Sequence, residues 1–523
     1  KSSIPAGVRT AILAGSTMTR ILAVAYCLWT LCAAASDFET IGLTQLRLMV
    51  PSLTGNGVMV AQPEADAPGF EVNPAVLTQP QSLFTWISSA GSAASFPNSV
   101  GAESGHANEV GKLFYGLTNG VAPGVAHVYS YDADYFYNNL IGNQTAILAR
   151  VVNQSFIFGM EMPSIDRDYD DYVARYGTIF LCGAGNGGLA SSPATAYNVI
   201  AVAAYGGSSS IGPTTGGRCK PDITAPASLT SFSTPFVSGA AALLAQAAAR
   251  NDGGPGTAAT AGDVKTIKAL LLNSATKPVG WTNGPTTPLD ARYGAGILHV
   301  GSAYRQLRGG KFSPVLTENI NVGSPHPPPV TSSNLPTRRG WDSQTLSSTM
   351  TQDGVAHYFF DLTTVTGRIV TATLVWNRHQ GQTAINNLNL FLYDASSGGL
   401  VASSESLVDN VEHIRITNLP AGRYNLQVLK QGGAGRVSTS ETYALAFEFG
   451  PAAAPGLIGQ QIVASQFRAT VTGEPNQLYA VDRTLDLLNW TPVVTNKTSV
   501  AGTFQLSEPA TSANTFFRLR EVW

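Results

Sequence analysis

Between residues 37 and 307, short apolar runs alternate with longer stretches of helical spacing. Residues 57–61, 125–131, 146–153, 178–183 and 197–204 read as strands. Residues 109–115, 165–176, 231–250 and 262–274 read as helices. In the last of these, Val264, Ile267, Lys268 and Leu271 recur at helical spacing around one face. Strands alternating with helices predict an α/β layer, a mostly parallel sheet covered on both faces.

The pattern changes after Arg308. The Pro-rich stretch GSPHPPP (323–329) and the Ser/Thr run at 331–333 read as a linker. Residues 368–377, 387–393, 413–419 and 423–428 then alternate with period two, separated by turn signals such as Ser397-Gly398-Gly399. This predicts a β-sandwich. A second Pro/Ala-rich break (451–456) precedes a small all-β module, whose core is expected to include Tyr479-Ala480-Val481, Trp490, Phe516 and Phe517. The expected division is therefore 36–310, 311–450 and 451–523, behind an N-terminal segment at 1–35.

That segment has its own signature. Met18-Thr19-Arg20, an apolar run to Cys32 and Ala33-Ala34-Ala35 make a secretory signal peptide, after an over-extended start at 1–17. The run is too short to span a bilayer, and no other segment reads as transmembrane, so the expected location is extracytoplasmic. Charged residues make up only 12% of the chain, with 53 Gly and 30 Pro, which fits turn-rich extracellular protein. A net charge of −2 gives no electrostatic case for nucleic acid or an anionic membrane. Beyond the signal segment, Cys182 and Cys219 remain, either as a disulfide or as two buried thiols.

Candidate chemistry starts at Ser231, where a loop turns into an apolar helix. Free backbone N–H groups and the positive end of the helix dipole suit a nucleophile that carries an oxyanion. Of the seven histidines, His106 alone opens a helix among small neighbours. His127 sits in a strand, and His326, His379 and His413 fall in the linker and β regions. Two carboxylates, Glu64 and Asp66, follow the first strand-like run. Asn186 lies in a Gly-rich turn and offers an amide donor.

Several of these segments together resemble the subtilases, the subtilisin-like serine peptidases. KPDITAP (220–226) and TSFSTPFVSGAAALL (230–244) are similar to the family's serine box. SGHANEVG (104–111) with GVAPGVAHVYSY (120–131) resembles the histidine box, and LCGAGNGG (181–188) with PATAYNVIAVAA (193–204) resembles the oxyanion segment. VVNQS (151–155) resembles the strand whose edge binds extended substrate, and YGAG (293–296) the closing segment. NLNLFLY (387–393) and LPAGRY (419–424) resemble the β-sandwich that follows many bacterial subtilase domains, and the end of the chain is similar to C-terminal β modules of secreted bacterial hydrolases.

The resemblance implies a three-layer subtilisin-like fold and a secreted serine endopeptidase acting on protein or peptide. Ser231 would be the nucleophile, His106 the base and Asn186 the oxyanion donor, with Asn153 and Ser155 on the substrate strand. Glu64 falls where the family has an aspartate, with Asp66 as the rival. The β domains would bind polymeric substrate, the cell surface or the catalytic domain. Subtilases often bind calcium, though no D-x-D-type loop here marks a site, and no cofactor is required. Departures from the pattern, Leu229 in place of glycine and a short Pro226–Ser231 interval among them, keep two other readings open: a non-catalytic binding protein and an esterase.

Overall fold

The computed structural model describes residues 36–66, 68–329, 338–362, 368–451, 455–473, 477–486, 489–499, 502–509 and 515–522. The signal-peptide expectation (1–35), the Ser/Thr run (331–333) and part of the second break (452–454) lie outside them.

Eight strands form one sheet: β1 (Met59–Glu64), β2 (Phe84–Ser88), β3 (Gly91–Ala93), β4 (His127–Asp132), β5 (Val151–Gln154), β6 (Ile179–Gly183), β7 (Ile200–Tyr205) and β8 (Ile223–Pro226). Their order is β3-β2-β4-β1-β5-β6-β7-β8. All neighbours are parallel except β2 and β3. β5, β6 and β8 are buried along their whole length, as strands covered on both faces must be. Helices α1 (Gly105–Phe114), α2 (Pro163–Tyr176), α3 (Thr230–Ala249), α4 (Val264–Asn273) and α5 (Val300–Arg308) pack around it. β2, β3, β8 and α5 were not among the predicted elements, being short. Residues 146–150 do not extend the β5 strand.

α3 is the buried helix that carries Ser231. Its Ala, Gly and Ser residues let the surroundings approach closely: a Cβ at Gly239 would lie 2.4 Å from Val121 Cβ. Although α3 is apolar and long enough to cross a membrane, it is the core of this layer. Cys182 and Cys219 are free thiols, and burial raises the pKa of both.

The β-sandwich has a four-stranded sheet, in which β9 (Arg368–Trp376) is an inner strand, and a five-stranded one. Tyr358, Trp376, Leu390, Tyr443 and Phe447 fill the space between them. GSPHPPP is no free linker: His326 Nδ1 lies 2.6 Å from Gln427 Oε1 and 3.0 Å from the Tyr393 hydroxyl, which straps the segment onto the sandwich. The sandwich is also fixed to the α/β layer. Trp341, Val375, Val411, Ala444 and Ala446 belong to the same apolar core as α3. Arg378 forms a buried ion pair with Asp170 of α2 (2.9 Å), and Thr373 donates to Asn273 of α4 (3.0 Å).

The C-terminal module holds two three-stranded sheets. Its core is Val471, Tyr479, Val481, Phe504 and Leu506. Trp490 is not in that core; it is half-buried at the edge beneath the Arg518 guanidinium, 4.4 Å from its centroid. Phe516 is exposed, because successive residues of an outer strand face opposite ways, and Phe517 stacks on Phe467. Glu521 ties the module back to Arg305 of α5 (2.5 Å) and to Arg339 (3.0 Å).

Candidate active site

The nucleophile wall is built where β8 turns into α3. Leu229 is the N-cap residue and has extended backbone with φ −137°, so the position needs no glycine. Its side chain is 36% exposed, and a leucine cannot cap the helix. Asn186 takes over that task from the neighbouring loop. Its Oδ1 accepts from the Thr230 backbone N–H (2.8 Å) and from the Thr230 hydroxyl (2.9 Å). Two donors at one end of the amide fix that end as oxygen, which leaves the NH2 end as a donor beside the helix start.

Pro235 shapes the same turn. It has no N–H, so the carbonyl of Ser231, four residues back, lacks its helical partner. The Ser155 hydroxyl supplies the missing bond at 2.8 Å. In return the Ser231 hydroxyl donates to the Ser155 carbonyl at 3.2 Å. Among the described residues this carbonyl, and not the imidazole of His106, is the hydrogen-bond partner of the Ser231 hydroxyl.

The acid–base wall is built from β1 and α1. β1 lies between β4 and β5, but β5 pairs with it only at Val60 and Ala61. Past Ala61 that side has no ladder for Pro63 to break, and the strand runs on to Glu64. Ser104 caps α1, accepting from the Ala107 N–H at 3.2 Å, and so sets His106 in the first turn. Glu64 Oε2 lies 2.8 Å from His106 Nδ1, the carboxylate 2% exposed and the imidazole 40% exposed. The hydrogen bond to Glu64 raises the imidazole pKa; burial opposes this, and the carboxylate charge adds to it. The imidazole also lies against Phe232, the residue after Ser231, with ring centroids 5.6 Å apart.

The structure thus brings Glu64 and His106 into contact, and sets both Asn186 and Ser231 at the start of α3. Asp66 stands apart. β1 ends before it, and its exposed carboxylate accepts from the Gly69 N–H. Asn153 is turned inward and fully buried, its amide donating to the Ser155 hydroxyl (3.0 Å) and accepting from Ser238 (2.9 Å). On the β1 side the ladder of β5 ends at Val152, while on the β6 side it runs to Gln154. His127 bonds Thr85 across β4 and β2 (2.9 Å), and His413 is buried under Trp281. Gln62, Tyr115 and Phe232, which the sequence did not single out, all line this wall. The one signal for Gln62 was an amide within the apolar run that leads to Glu64.

Residues 89–296 match the model of the subtilase family, peptidase S8. No curated protein matches the chain. Among solved structures, a serine-to-alanine mutant of the protease domain of PatA is 22% identical, covering 49% of this chain and 98% of its own, with a TM-score of 0.37. The prenylagaramide maturation protease PagA is 22% identical over 51% of this chain and 99% of its own, with a TM-score of 0.36. A protease from Pseudoalteromonas arctica is 18% identical over 52% and 98%, with a TM-score of 0.36. The chain therefore carries a subtilase-family peptidase domain within its α/β layer.

Proposed function

We propose that the protein is a secreted serine endopeptidase that cleaves peptide bonds through an acyl-enzyme. The observation that carries this reading is the 2.8 Å contact of Glu64 with His106, on an imidazole that overlies the residue next to Ser231. His106 takes the Ser231 proton as the hydroxyl attacks the peptide carbonyl. Glu64 holds the Nδ1–H tautomer and stabilises the imidazolium. The carbonyl oxygen, now negative, is met by the Asn186 amide and the N–H at the start of α3. His106 then gives its proton to the leaving amine, and water releases the acyl group by the same route. Substrate lies along the backbone edge at Asn153–Ser155. Its own N–H groups compete for the Ser155 carbonyl, which frees the Ser231 hydroxyl to turn toward the imidazole. The signal-like segment at 1–35 supports secretion, and the β domains serve to hold the catalytic layer and engage polymeric substrate.

The test is hydrolysis of denatured casein by the full chain and by Ser231→Ala. Cleavage within the casein chain, absent from the variant, is the expected result. Cleavage of a nitrophenyl ester without casein cleavage would make the protein an esterase. A second reading, a non-catalytic binding protein, is favoured by the Ser231 hydroxyl resting on Ser155. That reading predicts no turnover of either substrate by folded protein.

A further inference from the structure

Within β1, Gln62 is the one polar residue besides Glu64 itself, and it is fully buried two residues before it. A buried amide is tolerated only when its hydrogen bonds are met. Here its three bonds all run to the acid–base wall. Nε2 donates to Glu64 Oε1 at 3.1 Å and to the Ala107 carbonyl at 2.9 Å. Oε1 accepts from the Tyr115 hydroxyl at 2.6 Å. The orientation is forced: the reverse flip would aim the amide oxygen at two acceptors.

We infer that Gln62 is a positioning residue that braces Glu64 against His106. The amide grips the carboxylate oxygen that does not face the imidazole, so the other oxygen stays on Nδ1. The same nitrogen holds the carbonyl of the residue after His106, which ties the strand bearing the acid to the helix bearing the base. A glutamate has one more rotatable bond than an aspartate and more ways to turn away, so this longer acid needs a second anchor. Tyr115, at the far end of α1, locks the amide in turn. The other ionisable groups near the pair are engaged elsewhere. Asp132, opposite Glu64 in the β4 register, caps the turn at Tyr135 (2.8 Å), and Lys112 pairs with Glu109 on the outer face of α1 (2.6 Å). This inference rests on the proposed roles of Glu64 and His106.

The experiment is an NMR titration of the His106 ring in the full-length chain, assigned by its loss in His106→Gln, with kcat and KM on a peptide substrate. In Gln62→Leu the imidazole pKa is expected to fall by roughly one unit, toward its value in Glu64→Ala. kcat is expected to drop on the order of 10²-fold with KM little changed. If Gln62→Leu does not fold, Tyr115→Phe frees the amide at lower cost and is expected to move the titration in the same direction by less. An unchanged His106 titration and unchanged kcat in a folded variant would overturn the brace. If the titration shifts but the wild-type chain cleaves nothing, the peptidase reading fails and the brace stands. If the wild type cleaves and the titration does not move, the brace fails and the peptidase reading stands.

Discussion

The two walls of the cleft are opposites in how closely sequence and geometry agree. The serine wall resembles the subtilase pattern over KPDITAP and again from Thr230 into α3, departing from it only at Leu229 and in the short Pro226–Ser231 interval. Yet its hydroxyl rests on the Ser155 carbonyl. The histidine wall departs from the pattern in both its boxes, with Glu64 for aspartate and altered neighbours of His106. Yet it holds the acid–base contact, with Gln62 and Tyr115 behind it. Likeness along the chain reports how well a backbone is kept, since Thr230, Pro235 and Gly239 each answer a constraint of the turn or of close packing. Geometric readiness depends on which side chains converge, and a strand can lose its usual residues and still present a carboxylate at the right height.

Five substitutions and one pH profile separate the walls further. The largest effect is expected at Glu64. Glu64→Ala should lower kcat/KM by about 10³–10⁴-fold, whereas Asp66→Ala should leave it within about twofold, as measured by peptide hydrolysis. The opposite order would assign the acid to Asp66. Next, Asn186→Ala should lower kcat by about 10²–10³-fold with KM little changed, because the amide acts on the oxyanion and not on bound substrate. A change confined to KM would place Asn186 in ground-state binding.

The pH profile of kcat/KM comes third. His106 must be neutral to accept the serine proton, and its pKa is raised chiefly by the bond to Glu64. Activity should therefore fade as pH drops through a value above the ordinary imidazole pKa of about 6.5. Glu64→Gln should move that limb downward; a limb that stays in place would uncouple the imidazole from this carboxylate. The smallest effect is expected on the serine wall. Ser155→Ala leaves the Ser231 carbonyl without its donor and should cost about 1–3 kcal/mol of stability, read as a lowered Tm.

What the sequence revealed and what it hid divide along physical lines. Elements buried on every side read as continuous apolar runs, and α3, β6 and β7 stand out for that reason. Ser231 was singled out at a helix start, a local feature, whereas Asn186 was singled out by the resemblance of its segment to a subtilase box. Glu64 was preferred to Asp66 by counting along one strand against the family's pattern, but its contact with His106 depends on where β1 ends, and the strands beside β1 come from elsewhere in the chain. Asn153 reads as a substrate contact in sequence and is instead an internal bond between β5 and α3. Trp490 looks like core material by size; the module buries Tyr479 and Val481 as expected but leaves Trp490 at its edge. The sandwich looks like an appendage behind a proline-rich break. Its contact with α2 and α4 runs through Arg378 and Thr373, and pairs so distant in sequence leave no local trace.

The most direct measurement is covalent labelling of the folded chain by a fluorophosphonate, with the modified residue mapped by mass spectrometry and the rate compared in His106→Ala. The relay described here predicts a label on Ser231 that slows on the order of 10³-fold or more without the imidazole. No label on folded protein, or a Ser231 label that forms as fast in His106→Ala, would contradict it.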